Sequence, residues 1–214
     1  MQHIHLNNVT PTFLEQEKIA NSQIWNKEVV FNAGEKIQIV APSGSGKTSL
    51  IHFLYGLRKD YSGTILYDKK SVSGFNADKF STYRKKILSV VFQDLRLFAE
   101  QTVEENLSIK RILQPYHSTD KIDEMAEKLG IANKLNNTAK TCSYGEQQRI
   151  AIIRSLQQPF TFLILDEPFS HLDENNRKIA MQLIEEEALE RNASIILADL
   201  KPIEYFNADR TLYL

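Results

Sequence analysis

The sequence has little cysteine, no long apolar run and no excess of charge of one sign. Cys142 is the single cysteine among 214 residues, which excludes an internal disulfide framework and fits a reducing compartment. Lysine and arginine number 26 against 27 aspartate and glutamate residues, for a net charge of −1. The chain therefore lacks the basic footprint of proteins that bind nucleic acid or anionic membranes, and we expect no nucleic acid partner.

No apolar run approaches the roughly 20 residues that a membrane helix needs, and the first residues lack the pattern of a secretory signal. We therefore predict no direct membrane insertion, so that any membrane path would come from another polypeptide. Internal repeats, low-complexity tracts and linkers rich in Pro, Gly and Ser are also missing. The length and the apolar fraction of 42% are those of a globular protein, and we predict one domain over 1–214.

Short apolar runs alternate with amphipathic stretches along the chain. The runs typical of buried strands are 37–40, 86–92, 161–165 and 194–197, and helical periodicity marks 48–57, 120–129, 145–157 and 175–191. This alternation predicts an α/β fold with a mainly parallel sheet covered on both faces. Residues 1–35 carry strand-like pieces without a helix signal. The polar helical stretch from about 95 to 143 predicts an inserted helical subdomain.

A Gly-rich turn joins the first of these strands to the first helix. It reads Ala-Pro-Ser-Gly-Ser-Gly-Lys-Thr-Ser over 41–49, in the strand–turn–helix setting of a phosphate-binding loop. Its glycines would let backbone N–H groups point at phosphate oxygens, its lysine would contact the phosphates, and its threonine could ligate Mg²⁺. The predicted nucleotide contacts are Ser43, Gly44, Ser45, Gly46, Lys47, Thr48 and Ser49. A chance Gly/Ser-rich turn is the alternative.

Ala41 stands where the phosphate-loop pattern usually begins with glycine. The substitution costs little if the residue has a negative φ, and more if it does not.

Two acids, Asp166 and Glu167, directly follow the apolar run 162–165. Burying a carboxylate is costly without a cation or a hydrogen-bonding partner, and Mg²⁺ organised by Thr48 and the nucleotide is such a cation. We predict that Asp166 holds Mg²⁺, through water, and that Glu167 orients and polarises an attacking water. A strand-to-loop junction with two solvated acids is the alternative.

The segment Cys-Ser-Tyr-Gly-Glu-Gln-Gln-Arg at 142–149 resembles the signature motif of ABC ATPases, whose usual form is Leu-Ser-Gly-Gly-Gln followed by Gln-Gln-Arg. Residues 91–94 resemble the Q-loop of that family, 170–173 its D-loop and 208–210 its Ala-Asp-Arg segment. The resemblance covers nearly the whole chain. It implies a P-loop NTPase core with a mainly parallel sheet, an N-terminal antiparallel β subdomain and an inserted α-helical subdomain.

The resemblance also implies roles for single residues. Gln93 would contact Mg²⁺ and the attacking water, and Phe13 would stack on adenine. Ser143 and Gly145 would bind the γ-phosphate held by a second copy. The residues support this last role independently, because a helix N-terminus is an anion site. A simple helix cap is the alternative.

Two residues of the signature segment depart from the usual motif. Tyr144 replaces its first Gly and must point away from the phosphate. Cys142 replaces Leu, either as a packing residue or as a thiol whose pKa the helix N-terminus lowers.

A further departure concerns Asp199, which falls where the family usually has a switch His that contacts the γ-phosphate. A carboxylate there is repelled unless it is protonated, displaced or facing a cation. It would then reduce turnover, or reach a lysine, a water or Mg²⁺. We place Asp199 with Glu167 and Gln93 among the candidate catalytic residues. The alternative is a solvated cap just past the end of the strand.

The resemblance implies a subunit that binds and hydrolyses ATP with Mg²⁺ and powers a separate membrane permease. It would dimerise on Mg-ATP with a second ATPase subunit, which we expect to be an identical copy. It would lie in the cytoplasm at the inner face of the cell membrane. The chain most resembles the lipoprotein-release, macrolide-export and cell-division groups. Leu95, Leu97 and Phe98 are candidate permease contacts, with packing inside the helical subdomain as the equal alternative.

Two other functions stay open. Ala41, Tyr144 and Asp199 fit an ATP-dependent regulatory switch with weak or no hydrolysis. A soluble ABC protein of DNA repair or translation is less favoured, because those proteins usually carry coiled-coil insertions or tandem domains.

Overall fold

Two β-sheets organise the computed structural model, which describes residues 1–214. The strands are β1 (His3–Pro11), β2 (Glu28–Asn32), β3 (Lys36–Val40), β4 (Tyr61–Tyr67), β5 (Lys70–Ser71), β6 (Leu88–Val91), β7 (Phe162–Asp166), β8 (Ser194–Asp199) and β9 (Arg210–Tyr213). One sheet is antiparallel in the order β2-β1-β4-β5, and the other is parallel in the order β6-β7-β8-β3-β9. The predicted α/β fold with a mainly parallel sheet is thus confirmed.

Seven α-helices accompany the sheets. They are α1 (Gln16–Asn21), α2 (Lys47–Leu54), α3 (Ala77–Lys86), α4 (Val103–Leu113), α5 (Thr119–Lys128), α6 (Tyr144–Leu156) and α7 (Glu174–Glu190). None of them is both long and apolar enough to span a bilayer. The four predicted helical stretches correspond to α2, α5, α6 and α7, with ends that differ by one to three residues.

The first 35 residues contain α1, although they carry no helix signal. This helix has six residues and buries only Ile19, too few apolar positions to create a visible period. The antiparallel sheet also extends beyond residue 35, because β4 and β5 pair into it. The bounds of the β and helical subdomains stay predictions.

The parallel sheet separates two apolar clusters of 29 and 28 buried residues. In β7, Leu163 and Leu165 face the cluster formed with α6, α7 and the helical insertion. Phe162 and Ile164 face the other cluster, which includes α2 and the antiparallel sheet. Because both faces of the sheet are covered, its central strands consist largely of apolar residues, which made them visible in the sequence.

The order of the parallel strands decides where functional side chains meet. β7, β8 and β3 are neighbours, and parallel strands end at the same edge of a sheet. The Gly-rich loop follows β3. Asp166 is the last residue of β7 and Glu167 follows it, and Asp199 is the last residue of β8. Ligands of open α/β sheets bind outside this edge.

Candidate nucleotide-binding site

The loop between β3 and α2 is built around two glycines in the left-handed region. Gly44 has φ +78° and Gly46 has φ +95°, conformations that strain any residue with a Cβ. A Cβ on Gly46 would also lie 3.1 Å from the ring of Trp25. Ala41 does not have a positive φ, so the departure from glycine at the start of the loop costs no backbone strain.

Trp25 holds the phosphate loop through a buried hydrogen bond. Its side chain is fully buried, and its indole Nε1–H donates to the carbonyl of Ser45 at 2.9 Å. The sequence analysis did not identify this residue. The only available signal was that it is the single tryptophan of the chain, which does not reveal a contact 20 positions away.

Lys47 is buried between the two acids at the end of β7. Its Nζ donates to Asp166 Oδ1 at 2.8 Å and to Glu167 Oε1. The second carboxylate oxygen of Asp166, Oδ2, is buried and has no hydrogen-bond partner. A buried carboxylate oxygen without a partner is unfavourable. The prediction of solvated acids is therefore wrong for Asp166, and the donor set fits a bound cation.

Thr48, Gln93 and Asp166, the three predicted metal ligands, line one cleft of about 360 Å³. Thr48 and Gln93 are exposed. Hydroxyl, amide and carboxylate oxygens suit Mg²⁺, which keeps several waters and needs few protein ligands when phosphates supply the others. These residues therefore fit Mg²⁺, and their assignment as its ligands stays a prediction.

An adjoining cleft of about 440 Å³ contains most of the other predicted nucleotide contacts. The predicted nucleotide contacts that line it are Phe13, Ser43, Gly44, Gly46, Lys47, Thr48 and Ser49. Ser45 is not among them, because its side chain is buried without a partner. The candidate catalytic residues Gln93 and Glu167 line the cleft as well. Phe13 lies at the rim, 51% exposed, with the Arg58 guanidinium 4.8 Å from its ring centre.

Lys18 adds a cation that the sequence analysis missed. It lies on α1 and lines the same cleft, with its Nζ 3.5 Å from the position that a Cβ on Gly44 would occupy. It could not be found from sequence because α1 itself had no signal.

Glu167 has an unusual backbone at the end of β7. Its φ is +46°, rare for a residue other than glycine and typical of strained functional sites. Three hydrogen bonds hold it there. Its N–H donates to the carbonyl of Ala198 at 2.9 Å, and its carbonyl accepts from Gln148 Nε2 at 3.1 Å and from the N–H of Ser170 at 3.4 Å. Glu167 lines the 440 Å³ cleft of the phosphate loop, which is compatible with its predicted role of orienting and polarising the attacking water.

Asp199 closes β8 as a half-buried residue. Burial raises the pKa of its carboxyl, and the charge of Glu167 raises that pKa further, against the opposing effects of backbone N–H groups and Lys47. Its Oδ1 accepts from the N–H of Leu200 at 2.7 Å. Because Asp199 belongs to the strand and is partly buried, the alternative of a solvated cap beyond the strand is wrong. Asp199 lines a third cleft together with Glu167 and does not line the 440 Å³ cleft of the phosphate loop.

Ser143 and Gly145 do not line the cleft of the phosphate loop of their own chain. Ser143 begins α6 in a capping box, accepting from the N–H of Glu146 at 3.3 Å and donating its own N–H to Glu146 Oε2 at 2.7 Å. The helix cap that we gave as an alternative is thus present. The phosphate-binding role stays a prediction.

Cys142 is buried. Burial raises the pKa of its thiol, and the charge of Glu146 raises it further. The hypothesis of a reactive thiol with a lowered pKa is therefore wrong, and the packing interpretation holds.

The three candidate permease contacts differ in exposure. Leu95 is only 3% exposed and packs in the core, so its assignment as an exposed contact is wrong. Leu97 packs against the same core as a partly buried residue. Phe98 is 54% exposed and is the one member of the three that remains available to a partner.

Comparison with known proteins gives consistent matches. A family model described as "ABC transporter" matches residues 26–170. The lipoprotein-releasing system ATP-binding protein LolD of Buchnera aphidicola subsp. Schizaphis graminum is 36% identical over 167 residues, which are 77% of this chain and 73% of that protein. The macrolide export ATP-binding/permease protein MacB of Nitrosomonas europaea is 35% identical over 157 residues, which are 72% of this chain but 24% of that protein.

Two solved structures of MJ0796, a bacterial ABC transporter cassette, have the same fold. The dimeric structure matches with a TM-score of 0.84 and 25% identity, over 99% of this chain and 94% of that one. The dimeric post-hydrolysis state bound to ADP and Pi matches with a TM-score of 0.82 and 26% identity, with the same coverage.

Proposed function

Because this chain belongs to the ABC transporter family, we propose that it is an ATP-hydrolysing subunit that closes as a dimer on Mg-ATP and drives a separate membrane permease. One observation carries the proposal. The lysine of the phosphate loop is buried between the two acids that end β7, at hydrogen-bond distance from both. This arrangement supports the proposal, because the candidate phosphate-binding cation, the candidate metal ligand and the candidate base meet at the same edge of the parallel sheet.

The chemistry follows from these side chains. Lys47 and the N–H groups of the loop would bind the phosphates, and the N-terminus of α2 adds its positive dipole end. Thr48, Gln93 and Asp166 would hold Mg²⁺, which when bound would neutralise charge that develops on the phosphates. Glu167 would orient the attacking water and accept its proton.

A second copy would complete the site. Ser143 and Gly145 lie at the N-terminus of a 13-residue helix, and neither lines the cleft of the phosphate loop of its own chain. Their position is compatible with binding phosphate held by another subunit. The dimeric structures of MJ0796 support such an arrangement.

The permease partner is supported by the names of the relatives. LolD is the ATP-binding protein of a lipoprotein-releasing system, and MacB combines ATP-binding and permease functions in one protein, of which this chain matches 24%. We infer that this chain works at the cytoplasmic face of the membrane through a permease, with the exposed Phe98 as a contact.

A regulatory switch with weak or no hydrolysis is the second candidate. It is favoured by Asp199, whose carboxyl lies close enough to Glu167 for that charge to raise its pKa. If both groups were ionised when the phosphates bind, repulsion would disfavour the closed state.

The deciding experiment is Mg-ATP turnover of the purified chain over a range of protein concentrations. We expect turnover that rises more steeply than the protein concentration and disappears in Glu167→Gln. The matched control is Glu174→Gln, since Glu174 is an exposed carboxylate that pairs with Lys178 and does not line the cleft of the phosphate loop. ATP binding without turnover in the wild type, at all concentrations, would contradict independent hydrolysis. Recovery of turnover in Asp199→His would then trace the missing hydrolysis to Asp199 and favour the regulatory switch.

A further inference from the structure

Tyr144, at the start of α6, contacts two other functional segments of its own chain. Its hydroxyl donates to the backbone carbonyl of Gln93 at 3.3 Å. Its ring lies against the ring of His171, with 4.1 Å between the ring centres. The residue that departs most from the usual signature motif therefore joins the Q-loop-like segment to the D-loop-like segment.

The close approach of α6 to His171 depends on the glycine that follows. A Cβ on Gly145 would lie 2.9 Å from the carbonyl oxygen of His171, too near for any side chain. The absent side chain lets the first turn of α6 approach this backbone, where the ring of Tyr144 packs on that of His171.

The contact continues from His171 to the candidate base. The N–H of His171 donates to Gln148 Oε1 at 3.0 Å, and Gln148 Nε2 donates to the carbonyl of Glu167 at 3.1 Å. Tyr144 thus lies at the end of a hydrogen-bonded and packed chain of groups that begins at the strained backbone of Glu167.

Tyr144 also lines the cleft that contains the candidate metal ligands. That cleft includes Thr48, Gln93 and Asp166 together with Tyr144. A hydrogen bond to the carbonyl of Gln93 restricts the backbone from which its side-chain amide projects towards the cleft.

We propose that Tyr144 is a positioning residue that holds Gln93 for Mg²⁺ and couples the signature segment to the metal site of its own subunit. This rests on the proposed function, in which Gln93 is a metal ligand. Since Ser143 and Gly145 would serve the site of a second subunit, any displacement of α6 there moves the hydroxyl that holds Gln93 here. The two ATP sites of a dimer would then communicate through one tyrosine.

The test measures ATP binding by calorimetry at a series of Mg²⁺ concentrations, in the Glu167→Gln background so that no turnover interferes. We expect Tyr144→Phe, which keeps the ring on His171 but removes the hydroxyl, to raise the Mg²⁺ concentration for half-maximal binding about three- to tenfold, the range of one ordinary hydrogen bond. ATP binding without Mg²⁺ should not change. Tyr116→Phe is the matched control, because it also removes one hydroxyl contact, to Glu190, and Tyr116 lines neither the nucleotide cleft nor the cleft of the metal ligands.

A double-mutant cycle identifies the route of the effect. If Tyr144 acts through Gln93, Tyr144→Phe should change nothing further in a Gln93→Ala background. An unchanged Mg²⁺ dependence in Tyr144→Phe, or a full additive effect beside Gln93→Ala, would overturn the proposal while leaving the proposed function intact. Failure of the parent Glu167→Gln protein to bind Mg-ATP would instead overturn both.

Discussion

Arg154 on α6 holds two carbonyls of the segment that follows the Q-loop-like residues, and its loss should loosen that segment selectively. Its guanidinium donates to the carbonyl of Leu95 at 2.6 Å and to that of Arg96 at 2.8 Å. Leu95 and Arg96 have φ values of +56° and +48°, two consecutive left-handed residues that both carry side chains. Each such residue costs on the order of 1 kcal/mol or more and persists only when its surroundings fix it.

The expected loss in the free energy of unfolding for Arg154→Met is smaller than the summed contribution of its two hydrogen bonds. A hydrogen bond from a charged group contributes about 1.5–3 kcal/mol, so two bonds contribute about 3–6 kcal/mol. Burial lowers the pKa of Arg154 from 12.5 to about 10, which corresponds to about 3 kcal/mol of unfavourable burial that the variant no longer has. We therefore expect a loss of up to about 3 kcal/mol in the free energy of unfolding, and a melting temperature lower by up to about 12 °C.

The local effect should exceed the global one, because the two left-handed residues lose the group that fixes them. Hydrogen exchange should show about tenfold or more faster exchange of the amides in 94–98, with β7 and β8 unchanged. Arg84→Met is the matched control, because Arg84 donates to the carbonyls of Tyr55 at 3.2 Å and Gly56 at 2.8 Å. It should loosen residues 55–58 instead. Equal exchange of 94–98 in Arg154→Met and in the wild type would refute the reasoning.

Three further substitutions test the charges and supports of the site. Lys47→Met leaves two carboxylates at the end of β7 without their cation, and should lower stability by about 3 kcal/mol in thermal melts and abolish ATP binding in calorimetry. Trp25→Phe removes the indole donor to the phosphate loop; we expect a loss of about 1–2 kcal/mol in urea unfolding and weaker ATP binding. Asp199→Asn should raise the melting temperature at pH 7 and have little effect near pH 4. The pKa of Asp199 is raised by burial and by Glu167, so its favourable contribution exists only below the unfolded pKa and is lost as pH rises through the folded one. A gain that is equal at both pH values would contradict this last prediction.

The parts of the site that sequence predicts well are those whose residues are adjacent in the chain. The phosphate loop and the two acids directly follow apolar strands that are buried on both faces. The strand pattern therefore marks where these residues lie at the edge of the sheet. The supports could not be predicted, because they join distant residues: Trp25 with Ser45, Tyr144 with Gln93, and Arg154 with Arg96. No local pattern encodes those contacts.

Cys142 shows a different limit of sequence reasoning. We expected the helix N-terminus to lower the pKa of its thiol, whereas burial and the charge of Glu146 raise that pKa, and burial is a property of the packed fold. A similar argument applies to Leu95, which we expected as an exposed permease contact although its side chain packs in the core.

Asp199 need not prevent hydrolysis, because its protonated form can do what a switch His does. A neutral carboxyl donates one hydrogen bond, and the folded protein already raises the pKa of Asp199 through burial and the charge of Glu167. A γ-phosphate brought close would raise that pKa further, since like charges disfavour ionisation. Turnover of the wild type should therefore increase as pH falls towards the raised pKa of Asp199, and this increase should be lost in Asp199→Asn, whose amide donates at every pH. A pH profile with the same slope in both proteins would mean that Asp199 takes no part in the reaction, and absence of turnover at every pH would favour the regulatory switch.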